Sequence, residues 1–402
     1  MPVRVTTYAY PWDLGRLGVE RMLREIVEHG IEAVDLAATY HPIDALSPRD
    51  GEARLFTSPR GAVHFPARAA RYGRIQPRLS SPEICSVWPE VVDRARSVGL
   101  DVNAWTVTLY QPWIVDAHPD CARVLPGGDP IGSGVCPAND DVRDYLATLC
   151  ADIVDQFGVS MIRLEGIMPA AYDYGWLRPR VLISVSPLAR ELLALCFCAS
   201  CTGRAAAAGL DVERLRRTVN DAIAAELSEG RSATGTDREA GLAADAELQA
   251  FAVQHARAST ELARAAVSRL DGSPMPRVSA DAWSPYLLLL GAAHDDMLEE
   301  RVAAVDQIVV FPEMLAERNR RIAAIASRAS HPVELAMLLA RLQPGDPAAH
   351  RVAASAGADE PVARQLQAVA ELGVGEINLY NFGLLRERDV GDFVAAVRAA
   401  FR

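Results

Sequence analysis

Apolar runs and amphipathic stretches alternate along this chain. The first run is VRVTTYAY, 3–10. The stretch after it, LGVERMLREIVEHG, repeats apolar residues at helical spacing and closes on Gly30, a common helix stop. A second apolar run, IEAVDLAATYH, occupies 31–41, and a polar segment rich in Pro, Arg and Gly over about 42–82 reads as a long loop. WPEVVDRARSVGL predicts a helix and DVNAWTVTLYQPW, 101–113, a third strand. A further loop ends in VCPAND. DDVRDYLATLCADIVDQFG then predicts an amphipathic helix, and VSMIRLEGI, 159–167, a fourth strand.

From there the pattern changes. Residues 184–270 are dominated by Ala, Leu and Arg at helical spacing, with a polar break at GRSATGTDREAG, 230–241. Strands return in PRVSADAW (276–283), VDQIVVFPEM (305–314), VELAMLLARL (333–342) and GEINLYNFGLL (375–385). Helical stretches such as EERVAAV, AERNRRIAAIASRAS and EPVARQLQAVAELG separate them. Eight strands alternating with helices is the count of a (β/α)8 TIM barrel. The expectation is an α/β fold, one domain over 1–402, with 184–270 a helical insertion between strands 4 and 5. A doubly wound sheet has less support, because no GxGxxG follows the first strand.

Composition narrows the function. Half of the 402 residues are hydrophobic, enough for a large core. The formal net charge is −11, which disfavours a nucleic-acid partner. The chain has no lysine, so Schiff-base chemistry and a Walker-type phosphate site are excluded. No uncharged apolar run reaches the roughly 18 residues that a membrane span requires. The N-terminus lacks the apolar segment and cleavage site of a signal peptide, so a cytoplasmic location is expected.

Three of the seven cysteines crowd into LLALCFCASC, 192–201: Cys196, Cys198 and Cys201. In a reducing compartment such a cluster points to metal rather than to disulfides. Zinc takes four tetrahedral ligands, so a fourth must come from Cys85, Cys121, Cys136 or Cys150. Cys150 sits mid-helix among apolar neighbours, as a core residue would. Cys136 sits in a loop before a helix, where a side chain is free to turn toward a metal.

The order VCPANDDVRDYLATLC, MIRLEGI, LCFCASC resembles the family 42 glycoside hydrolases, the β-galactosidases. It is also similar to bacterial glycosidase-like proteins with the same Cys-Phe-Cys-x-x-Cys segment. The resemblance covers roughly residues 130–205. It implies that Cys136, Cys196, Cys198 and Cys201 hold a structural zinc and that Glu165 is the strand-four acid/base. It also implies a carbohydrate-like small-molecule substrate and a possible homo-oligomer. Two departures stand out. Leu164 replaces the asparagine that precedes the family's glutamate. Strand seven offers only Glu334, at its start, where the family has a nucleophile.

In a TIM barrel the chemistry lies at the C-terminal ends of the strands. A lone carboxylate in MIRLEGI faces either that mouth, where apolar surroundings suit it to proton donation, or a partner such as Arg163. Glycoside hydrolysis needs a second acid, and Asp281 and Glu313 end strands five and six. Aromatic residues at strand ends suit a sugar ring. The candidates for substrate binding are Tyr40, His41, Asn103, Trp105, Tyr174, Trp283, Tyr380 and Asn381. Two alternatives share this scaffold: a lyase or isomerase using His41 and Glu165 as acid and base, and a non-catalytic sugar-binding protein. A mouth metal on Asp35, His41 and Glu165 lacks any HxH or HExxH spacing.

Overall fold

The computed structural model describes residues 3–49, 54–168, 185–229, 236–270, 275–282, 284–311, 316–339 and 362–401. Eight parallel strands form its centre: β1 (Arg4–Ala9), β2 (Ala33–Tyr40), β3 (Asp101–Val107), β4 (Met161–Glu165), β5 (Arg277–Asp281), β6 (Gln307–Val310), β7 (Glu334–Leu339) and β8 (Glu376–Leu379). Each pairs with the next in sequence, and β8 pairs with β1, so the sheet closes. This is the expected (β/α)8 barrel. The strands are buried on both faces, β2 along its whole length, which is why they read as apolar runs and not as alternation. Helices such as Val19–Glu28, Val87–Val98, Asp140–Phe157 and Glu387–Ala400 surround them.

Several elements differ from the sequence expectation. The third strand stops at Val107, because Pro112 opens a helix, Pro112–Ala117, and proline favours a first helical turn. The polar stretch 42–82 holds a hairpin, Ile43–Ser47 with Arg54–Ser58, and a two-residue strand, Ala62–Val63, antiparallel to β2. A second hairpin, Ala122–Val124 with Pro130–Val135, occupies the loop before VCPAND. The last strand stops at Leu379 and a 3-10 turn, Phe382–Leu384, follows.

Between β4 and β5 lie the helices Pro187–Ala194, Ala199–Ala207, Val212–Glu229, Thr236–Ala243 and Ala246–Ser268. The last of these packs between Asp140–Phe157 and Ala293–Val302, so it stands in the barrel's outer ring.

The barrel interior is polar at its lower level. Arg163 of β4 is almost fully buried and spans the interior. Its guanidinium donates to Asp35 Oδ1 at 2.9 Å, Gln307 Oε1 at 2.8 Å and Glu376 Oε1 at 2.8 Å. Asn103 also donates to Asp35, at 2.9 Å, and Thr6 donates at 2.8 Å. A buried cation is retained only when paired and hydrogen-bonded, and Arg163 meets both conditions across four strands.

Candidate active site and metal centre

Along β4, residues two apart share a face. Arg163 and Glu165 therefore both point into the barrel, Arg163 at the lower level and Glu165 at the C-terminal mouth. Arg163 is committed to Asp35 and Glu376, and Glu165 accepts a hydrogen bond from Trp105 Nε1 of the neighbouring β3. Of the two surroundings open to Glu165 in the sequence, the structure shows the mouth.

Asp281 ends β5, beside β4. The register pairs Leu164 with Ala280, so the two acids leave adjacent strands at one level. Gly166 follows Glu165 with φ at +65°, a conformation glycine adopts without cost, and its N–H donates to Asp281 Oδ2 at 2.8 Å. Desolvation, then the Asp281 charge, push the Glu165 carboxyl up to about 8, against the Trp105 hydrogen bond. Desolvation pushes Asp281 up to about 6, while the Gly166 N–H and the charges of Arg301 and Arg163 oppose it. Two neighbouring carboxyls with separated acidities can hold one proton and one charge at neutral pH.

Opposite them, β8, β1 and β2 deliver Tyr380, Tyr10 and Tyr40. Their hydroxyls form a triangle: Tyr10–Tyr380 at 2.7 Å, Tyr40–Tyr380 at 2.8 Å and Tyr10–Tyr40 at 3.1 Å. Tyr10 and Tyr40 are buried, whereas Tyr380, Glu165 and Asp281 are each partly exposed. The Trp105 indole packs beneath, 4.7 Å from the Tyr40 ring and 5.7 Å from the Tyr380 ring. Trp12 stacks on Tyr10 at 4.2 Å and on Phe56 of the first hairpin at 3.9 Å. The YAYPW segment carried this feature in its alternating aromatics, but only the closed barrel brings Tyr380 to it.

The expected site residues separate into levels. Glu165, Asp281, Tyr40, Trp105 and Tyr380 come together at the mouth. His41 lies beside them, its ring 3.9 Å from that of Tyr40 and its Nδ1 2.8 Å from the Pro42 carbonyl; desolvation drops its pKa to about 4, so it is neutral. Asn103 sits one level down in the Arg163 network and not at the mouth. Asn381 is buried and turns its Oδ1 to the Gly383 N–H at 3.0 Å, a turn-forming contact. Asp35 belongs to the lower network, and it does not meet His41 and Glu165 as a ligand group among the described residues. Glu334 lies at the opposite end of the barrel, bound to Arg277 at 2.7 Å and to Gln307 at 2.9 Å. Glu313, Tyr174 and Trp283 lie outside the described residues.

The cysteines converge. Cys136, Cys196, Cys198 and Cys201 are all buried, and their four sulfurs lie within 4.8 Å of one another. Cys136 Sγ stands 3.4 Å from Cys201 Sγ and 3.9 Å from Cys196 Sγ. Zinc–sulfur bonds of about 2.3 Å in a tetrahedron place sulfurs about 3.8 Å apart, so the donor set and its spacing fit zinc. His255, from the helix Ala246–Ser268, braces the cluster through the Cys196 backbone: its Nδ1 donates to the Phe251 carbonyl at 2.7 Å, which leaves Nε2 to accept from the Cys196 N–H at 3.0 Å.

No family model and no curated protein matches the sequence. Solved structures do match the fold. The catalytic domain of a β-amylase from Paenibacillus polymyxa superposes with a TM-score of 0.56 at 9% identity, covering 99% of this chain and 98% of that one. An α-L-fucosidase isoenzyme from Paenibacillus thiaminolyticus gives 0.52 at 13% identity, covering 99% of this chain but 49% of that one. A β-galactosidase from the psychrophilic Marinomonas ef1 gives 0.50 at 11% identity, covering 98% of this chain and 59% of that one. The chain thus spans about half the length of the latter two. It has the (β/α)8 fold of glycoside hydrolases, at identities that speak for the fold alone.

Proposed function

We propose that the protein is a carbohydrate-active enzyme of glycoside-hydrolase type. The observation that carries this reading is the Glu165–Asp281 pair at the C-terminal mouth, ringed by aromatic side chains. At neutral pH Glu165 keeps its proton and Asp281 is ionised. Glu165 hands its proton to the leaving glycosidic oxygen, and the Asp281 carboxylate is the second acid of the pair, as base toward the attacking water or as nucleophile. Tyr380 and His41 border the sugar, with Trp105 beneath it. Glu313, Tyr174 and Trp283 belong to the same reading as expected contributors. The fold likeness to a β-amylase, an α-L-fucosidase and a β-galactosidase supports a sugar substrate.

In this reading Cys136, Cys196, Cys198 and Cys201 hold zinc. Four sulfurs leave no open position, so the ion is structural. It ties the loop before Asp140–Phe157 to the helical insertion over 184–270. Seven buried free thiols accord with a reducing, cytoplasmic setting.

The test is a screen of aryl glycosides against the wild type, Glu165→Gln and Asp281→Asn. Hydrolysis of at least one glycoside, reduced about 100-fold or more in each variant, supports the reading. Equal rates in wild type and variants sink it.

A further inference from the structure

The tyrosine triangle is asymmetric. Its two short edges meet at Tyr380, and its long edge joins Tyr10 to Tyr40. Three hydroxyls own three protons. On the long edge Tyr10 is the donor to Tyr40; when Tyr10 turns its proton to the shorter edge instead, and Tyr40 does the same, the Tyr380 oxygen accepts twice. Its own proton is then left for the mouth. Hydrogen bonds accepted by a hydroxyl polarise it and strengthen it as a donor. Tyr380 is also the member of the triangle that is partly exposed. Desolvation and the Glu165 charge push the Tyr380 phenol up to about 12, the Tyr10 and Tyr40 hydrogen bonds opposing them, while those two phenols are held well above the usual range.

In an eight-stranded closed barrel β8 stands opposite β4, so Tyr380 and Glu165 enter the mouth from facing sides. Trp105 links them: it bonds Glu165 and packs against the Tyr380 ring. A phenol and a carboxylic acid, both neutral, thus offer two O–H donors in an aromatic enclosure, with Asp281 alongside. Preorganised donors of this kind are strongest where negative charge develops on an oxygen.

We propose that this mouth stabilises an oxyanion: the Tyr380 hydroxyl and the protonated Glu165 carboxyl donate to a substrate carbonyl oxygen while Asp281 removes a proton from the adjacent carbon. The C–H bond breaks and its proton goes to the Asp281 carboxylate. The C–H electron pair forms a carbon–carbon double bond, and the carbonyl π pair moves onto oxygen as an enolate. Glu165 gives its proton to the enolate oxygen and takes the proton of the hydroxyl on the deprotonated carbon, whose oxygen becomes the new carbonyl; Asp281 returns the carbon-bound proton to the former carbonyl carbon, so isomerisation needs no co-reactant. The substrate class is an open-chain sugar or related α-hydroxycarbonyl compound. The inference rests on the mouth being the active site, and it adds an enolising activity to the hydrolytic one.

The probe is 4-nitrophenol, whose phenolate imitates an enolate oxygen and absorbs visibly. The expected result is that the protein binds the phenolate in preference to the neutral phenol. Tyr380→Phe should weaken that binding about tenfold or more, and Tyr10→Phe and Tyr40→Phe should weaken it severalfold with the fold intact. Binding without preference for the ionised form, or unchanged in all three variants, overturns the proposal. Aryl-glycoside hydrolysis lost in Glu165→Gln, without phenolate preference in the wild type, leaves the hydrolytic reading standing and rejects this one. Phenolate preference without hydrolysis does the reverse.

Discussion

Trp105 on β3 donates its indole N–H to Glu165 at the end of β4, and this bond, not an ion pair with Arg163, fixes the carboxyl at the barrel mouth. The bond favours the charged form of Glu165, against desolvation and the Asp281 charge. Replacing Trp105 by Phe is therefore expected to raise the ionisation midpoint of Glu165 above its present value near 8. The basic limb of the pH–rate profile on a hydrolysed aryl glycoside reports the shift.

Asp281→Asn moves the same limb the other way. The neighbouring negative charge holds the proton on Glu165, so its loss lets Glu165 ionise at lower pH. The pH profile of residual activity is expected to fall off earlier on the alkaline side, beside a rate reduced about 100-fold.

Glu165 also links stability to pH. Its folded-state pKa is raised, so the unfolded chain ionises first as pH increases. The favourable contribution of the neutral carboxyl is complete below the unfolded value, near about 4.3, and is lost as pH rises through about 8. Glu165→Gln removes that loss. Thermal melts are expected to show the variant a few degrees more stable than wild type at pH 8, with the gap closing toward pH 4.

Arg163→Met tests the lower network. It leaves Asp35 and Glu376 buried without their cation, and breaking a buried pair from one side costs about 3–5 kcal/mol. Denaturant titration is expected to show a loss of that order.

The barrel strands were visible because a doubly buried parallel strand is a continuous apolar run, as in AVDLAATY. Their ends were not, because past Val107 the apolar run continues through Leu109, Trp113 and Ile114 into the helix that Pro112 opens, and the hairpin Ile43–Ser47 with Arg54–Ser58 lies in a polar stretch whose structure depends on local turns. Cys136 and Glu165 could be singled out by their neighbours in sequence. Asn103 is expected among the substrate-binding residues of strand three, but residues two apart on a strand share a face and differ in depth, and Asn103 lies one level below Trp105 in the Asp35 network. The meeting of Tyr10, Tyr40 and Tyr380 could not be read, since barrel closure joins positions 370 residues apart.

Metal removal tests the cysteine cluster. Elemental analysis is expected to find about one zinc per chain in the wild type, and none after strong chelation or in Cys198→Ser. Both zinc-free forms should melt well below the wild type, because binding free energy at a structural site is folding free energy. A metal-free wild type of unchanged stability would remove zinc from the account.

The proposed chemistry requires that the two neighbouring carboxyls at the mouth divide one proton between them at neutral pH. Carbon-13 NMR of protein labelled at the Glu and Asp carboxyl carbons, titrated from pH 4 to pH 9, reads this without a substrate. Expected are a Glu signal with a midpoint near 8 that disappears in Glu165→Gln, and, beside that of the buried Asp13, an Asp signal near 6 that disappears in Asp281→Asn. A Glu165 signal that titrates with the ordinary surface carboxylates would contradict it.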